Sequence, residues 1–211
     1  MSVLINTYSQ QEERLNVWTH FVGLLLSVVA LAVLVVKSSL YGNVWQIVSF
    51  SVYGASMILL YTASTLYHSS KKPTTRTRLN VFDHAAIYIL IAGTYTPFTL
   101  VTLNGVTGWI LFGVTWGIAT LGVIFKLFYF GKYDKLSTIM YVLMGWLALF
   151  AIKPLIENLS VEGLIWLALG GVFYTIGAVL YSIKIPYNHA IFHVFVLLGS
   201  ISHFISIFFY V

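Results

Sequence analysis

Cysteine is absent from the chain, which excludes a disulfide framework and every thiolate ligand, so any metal must be held by nitrogen and oxygen. Charge is nearly as scarce: acidic and basic side chains make up 8% of the 211 residues, where a soluble domain carries about a quarter. The apolar runs do not alternate with polar residues at period two, which argues against a membrane β-barrel. Linkers, low-complexity stretches and visible repeats are also missing. What remains is apolar, with 59% hydrophobic residues and a mean hydropathy of +0.91. An all-α integral membrane protein follows, because lipid permits only helices or closed barrels to cross it.

A hydrocarbon core about 30 Å thick takes about 20 apolar helical residues to span. Seven runs meet that length: Leu15 to Val36, Val44 to Tyr67, Val81 to Leu103, Trp109 to Phe130, Leu136 to Ile152, Val161 to Ile183 and His189 to Tyr210. Short polar breaks such as Lys71-Lys72-Pro73 and Gly131 to Asp134 join them, so residues 1–211 read as a single seven-helix transmembrane domain. A signal peptide is disfavoured for the first run, because Glu12 and Glu13 precede it and it continues past any plausible cleavage site.

Arg14, Lys71, Lys72, Arg76, Arg78, Lys126, Lys132, Lys135 and Lys184 collect on the N-terminal face of such a bundle, against Lys37 and Lys153 on the other. Basic residues in short loops mark the cytoplasm, so the N-terminus is expected inside and the C-terminus outside. The net charge of +5 then needs anionic headgroups rather than nucleic acid. This orientation opposes that of G-protein-coupled receptors. A microbial rhodopsin is disfavoured as well, because Lys184 precedes the seventh run and no lysine lies within it for a Schiff base.

Five of the six histidines, His20, His68, His84, His189 and His193, fall near that same face. His189 and His193 stand at i, i+4 and share one helix face, so they can bind one ion; a pair at a helix start can also simply reach toward headgroups. His68, in the last turn of the second helix, supplies a third imidazole at the same depth. Three imidazoles with one open position form a catalytic zinc arrangement. Asp83 is expected at the start of the third helix, either as general base or histidine-orienting group, or as a first-turn acid favoured by the helix dipole. Glu13, Asn16 and His20 form a polar rim to the site or an interfacial anchor. His84 points about 100° away from Asp83 and reads as a packing residue, and His203, more than two turns deeper than His193, as a buried hydrogen-bonded one. Gly113 and Gly117 offer a small-residue packing surface, and Thr94-Tyr95-Thr96-Pro97 a kink. A serine nucleophile at Ser64 lacks any oxyanion-hole motif.

Glu13-x-x-Asn16-x-x-Thr19-His20, Ser64-x-x-x-His68, Asp83-His84 leading into Ala92-Gly93-Thr94-Tyr95-Thr96-Pro97, and His189-x-x-x-His193 resemble the successive motifs of the hemolysin III family, the bacterial branch of the progestin and adipoQ receptor superfamily. The resemblance spans nearly the whole chain. It implies a multi-pass protein of the bacterial cytoplasmic membrane, with a cytosolic N-terminus and one zinc ion near the cytoplasmic leaflet. By that resemblance His68, His189 and His193 are the zinc ligands, Asp83 reaches the metal through water, and Ser64 lies close by.

The expected function is zinc-dependent hydrolysis of a lipid amide bond, since the wider superfamily resembles alkaline ceramidases, with a role in membrane lipid composition and fluidity. Membrane lipids are then the partners. A cytolytic pore, the activity behind the family's name, has less physical support because a secreted pore former should be soluble before insertion. A lipid sensor or receptor with structural zinc is the third alternative.

Overall fold

The computed structural model describes residues 8–183 and 185–211; Lys184, counted above among the basic residues of the N-terminal face, lies outside them. Its elements are α1 (Gln10–Tyr41), α2 (Val44–Ser69), α3 (Pro73–Pro97) with a π-helical turn (Phe98–Thr102), α4 (Gly105–Tyr129), α5 (Asp134–Gly145), a 3-10 turn (Leu147–Ala151), α6 (Ile152–Asn158), α7 (Val161–Ser182) and α8 (Asn188–Tyr210). Among the described residues, seven helical segments are long and apolar enough to cross a bilayer, with α5 through α6 serving as the fifth. No strand is present among them. The architecture is the expected seven-helix bundle.

Capping chemistry fixes several starts. The Ser9 hydroxyl accepts from the Glu12 N–H at 3.1 Å, Asn43 and Gln46 form a reciprocal capping box, and Pro73 occupies the first turn of α3, where its missing N–H costs nothing. That proline start corrects the expected boundary at Val81: the helix runs two turns further back through Thr74 to Asn80. Asp83 therefore lies in the third turn of α3, not its first, and the dipole-stabilised first-turn reading fails.

Packing in this chain is inverted relative to a soluble protein. The buried stripe of α1 is Glu12, Asn16, His20, Gly23, Ser27, Ala30, Leu34 and Ser38, while Trp18, Leu25, Leu26 and Val29 face outward. Lipid solvates the apolar side chains, so small and polar residues are left to hold helices together. At Gly93 on α3, an added Cβ would stand 2.3 Å from the Ser56 hydroxyl of α2, so the backbones meet there because no side chain intervenes. Gly113 and Gly117 behave differently: both are exposed and nothing approaches the positions their Cβ atoms would take. The expected packing surface on α4 is thus turned away from the rest of the chain.

Around Pro97 threonine hydroxyls donate to backbone carbonyls one turn back, Thr94 to Leu90, Thr96 to Ala92 and Thr99 to Tyr95. A widened turn follows the proline, in which the Leu103 N–H donates to the Phe98 carbonyl at 2.8 Å.

Helix α2 packs between α1 and α3, α8 packs on α7 and α1, and α4 packs on α3. Helix α5 touches α3 and α7 more sparingly. Between these helices lies a cavity that reaches from His189 and His193 to His203.

Candidate metal centre

The end of α2 and the starts of α3 and α8 meet at one end of the bundle. Tyr187, in the left-handed region at φ 59°, turns the chain into α8, and the helix then presents His189 in its first turn and His193 one turn later. His68 occupies the last turn of α2. Arg76 of α3 holds that turn: its guanidinium donates to the Tyr67 and Ser70 carbonyls and lies over the Tyr67 ring at 4.6 Å.

The imidazoles converge. The Nε2 atoms of His68 and His189 are 3.1 Å apart, and one ring nitrogen from each of His68, His189 and His193 falls within 4.8 Å of the others. Two nitrogens bound to one tetrahedral zinc stand about 3.3 Å apart, given bond lengths of about 2.0–2.1 Å. All three rings are buried.

The outer nitrogens are occupied, and their partners set the tautomers. His68 Nδ1 lies 2.8 Å from Glu13 Oε2; a carboxylate accepts, so Nδ1 carries the proton and Nε2 keeps its lone pair. Asn16 Nδ2 stands further off, at 3.4 Å. His193 Nδ1 donates to the Asn16 carbonyl at 3.3 Å, with the Thr19 hydroxyl at the same distance. His189 Nδ1 pairs with the Tyr8 hydroxyl at 3.0 Å, which can accept its proton. Outer groups that orient imidazoles in this way are the usual supports of a metal site. The donor set, three inward-facing neutral nitrogens, fits a borderline-soft divalent cation.

Other expected residues complete the surroundings. Asp83 and Ser64 are buried, face one another and line the cavity together with His189 and His193, although the Ser64 hydroxyl makes no hydrogen bond of ordinary geometry. Among the described residues lining the cavity, Asp83 is the one carboxylate. His20 is closer to the centre than a rim: its ring stacks on His193 at 3.5 Å between centroids with an interplanar angle of 8°, and neither ring nitrogen has a partner. His84 stands apart from the trio as expected, its ring edge-on to Phe130 and its carbonyl accepting from Tyr141.

Two contributors, Arg76 and Tyr8, were not legible as such in the sequence, and a third, Glu13, was expected only as part of a rim. Arg76, counted only toward topology, pairs with the Glu13 carboxylate, which in turn accepts from His68, so α3, α1 and α2 are linked into one chain of contacts. Tyr8 had no distinguishing signal, and its contact with His189 spans 181 positions. Glu13 was expected at the rim of the site, but nothing in its spacing named His68 as its partner.

The sequence model of the family described as haemolysin-III related matches residues 8–204. Hemolysin-3 of Bacillus cereus is 48% identical over 202 residues, covering 95% of this chain and 92% of that protein. The hemolysin-3 homolog of Bacillus subtilis (strain 168) is 46% identical and covers 96% of each. Monocyte to macrophage differentiation factor of Homo sapiens is 29% identical over 93% of this chain and 83% of the relative. With its seven apolar helices, its three converging histidines and a match along nearly its full length, this multi-pass integral membrane protein belongs to the haemolysin III family.

Proposed function

We propose that the chain is a zinc-dependent hydrolase of lipid amide bonds, with His68, His189 and His193 as the zinc ligands. The observation that carries this reading is the convergence of three buried imidazoles on a cavity whose wall holds one carboxylate, Asp83. Three neutral histidines leave a position for water or substrate, as catalytic rather than closed structural zinc sites do. Zinc held there would polarise a carbonyl and bring the pKa of water to about 7.

The chain's own groups supply the rest. Asp83 accepts the proton of the water that attacks the amide carbon and returns it to the nitrogen as the C–N bond breaks. Ser64 lines the same cavity as that carboxylate. The Glu13 and Asn16 contacts hold the His68 and His193 rings, and the stacked His20 ring limits rotation of His193. Beyond the polar end, Ile87, Ile91, Phe192 and Val196 give the cavity an apolar wall suited to an acyl chain. The excess of lysine and arginine at this end supports a cytoplasmic position for it; on that reading the substrate enters from the inner leaflet and turnover adjusts that leaflet's lipid composition.

Purified protein assayed with ceramide and other N-acyl lipids tests the reading. Asp83→Asn should keep its zinc and lose at least about 100-fold in turnover, the low end of what a general base contributes. No hydrolysis of any N-acyl lipid by zinc-loaded wild type would move the assignment to a lipid sensor with a structural metal.

A further inference from the structure

The cavity does not run the length of the bundle. Its deepest lining residues are Tyr95 on α3, Trp146 just past α5, Gly171 on α7 and His203 on α8. From His193 to His203 is ten residues of helix, about 15 Å, and from Asp83 to Tyr95 twelve, about 18 Å. That depth is close to one leaflet's share of a hydrocarbon core about 30 Å thick. Beyond it Ala151 and Leu155 pack with Leu164 and Leu167, and the space is filled.

A break in the fifth span closes this far end. Helix α5 gives way after Gly145 to the 3-10 turn, and the Tyr95 hydroxyl fastens the break by donating to the Gly145 carbonyl and accepting from the Ala148 N–H, each at 2.8 Å. Backbone groups freed at this depth have no water to turn to, so these bonds hold the break in one geometry. At the break Trp146 turns toward α7. Its indole N–H donates to the Thr175 hydroxyl at 3.0 Å, and that hydroxyl donates to the Gly171 carbonyl at 2.7 Å. The indole lies along Gly171, where an added Cβ would stand 3.5 Å from Cη2 and Cζ2 of the ring. Glycine leaves that strip of backbone bare to the cavity, and the indole beside it is only half-buried. A bicyclic ring pinned at its nitrogen yields less to a ligand than a flexible side chain such as methionine does.

We propose that Trp146 is the end stop of the acyl cavity and sets the longest chain it takes. With the polar end of the lipid at the three histidines, a chain that spans one leaflet reaches the indole and a longer one must buckle against it. The protein therefore selects acyl chains by length, with Trp146 and the bare backbone of Gly171 as the specificity-determining pair. This rests on the reading that the cavity holds the acyl chain of an amide substrate.

The test is equilibrium displacement of labelled palmitate from the full chain in lipid nanodiscs by laurate, palmitate, stearate and behenate, for wild type, Trp146→Ala and Gly171→Ala. Partitioning of each acid into the nanodisc is common to all three proteins, so the ratio of variant to wild-type affinity at each chain length isolates the cavity. For Trp146→Ala that ratio should climb at least about fivefold from laurate to behenate, because loss of the indole relieves the crowding of an overlong chain. For Gly171→Ala it should fall over the same series by about as much, because the added methyl narrows the same end. That methyl meets the indole at ordinary contact distance, so the variant keeps its fold. A change that is uniform across chain lengths in either folded variant is the mark of a structural role; it overturns the inference and leaves the acyl cavity standing. If Trp146→Ala does not fold, Gly171→Ala decides alone. Folded wild type that binds no palmitate refutes both the inference and the acyl-cavity reading beneath it.

Discussion

Replacing Glu13 by glutamine separates the support of the metal centre from its ligands. Glu13 Oε2 accepts from His68 Nδ1 at 2.8 Å, its other oxygen is bound by Arg76, and its side chain is 20% exposed. The carboxylate fixes the His68 tautomer and makes Nε2 more basic; glutamine preserves an acceptor oxygen but removes the charge. Loss of such an orienting group costs about 10–100-fold in metal affinity. Because the pair is partly open to solvent and glutamine can still accept, the low end applies, about tenfold or ~1.4 kcal/mol. Titration of apo protein with zinc against a fluorescent chelator of known affinity reads this directly, and Glu13→Ala should fall further. Affinity within twofold of wild type in Glu13→Ala would refute the claim that this contact supports His68; loss as complete as in His68→Ala would mean that Glu13 is itself a ligand.

Tyr8→Phe removes a neutral partner of His189 and should weaken zinc by less than tenfold, read in the same titration. Lowering the pH should release zinc, because ligating imidazoles must be neutral and protons compete for the same Nε2 atoms; occupancy measured after dialysis across a pH series should fall monotonically toward acid. Gly93→Val should lower the thermal midpoint in detergent, since its side chain would overlap Ser56 and force α2 and α3 apart, whereas Gly113→Val on the open face of α4 should leave the midpoint unchanged.

The number of spans and the histidine grouping were legible because both depend on regularities within single segments: apolar runs of bilayer length, an i, i+4 pair opening α8, and His68 closing α2. The start of α3 was missed because hydropathy reports where lipid begins, not where the helix does, and residues Thr74 to Asn80 are polar yet helical behind Pro73. Orientation about a helix axis was the next loss, since Gly113 and Gly117 carry the right spacing on a face that meets no neighbour in the chain. The contacts of Tyr8, Glu13 and Arg76 lie between helices remote in sequence, where one chain without spatial information offers no pairing rule. His20 shows the same limit: its place one turn beyond Asn16 near the start of the first run was evident, but its stacking on His193 depends on how α1 packs against α8.

Zinc content of the purified, detergent-solubilised chain, measured by elemental mass spectrometry, tests the three-histidine centre most directly. Wild type should carry about one zinc per chain, and both His68→Ala and the double variant His189→Ala, His193→Ala should lose it, as expected of a site with three protein ligands. Folded wild type that holds no metal after zinc is supplied, or variants that keep it, would contradict the account.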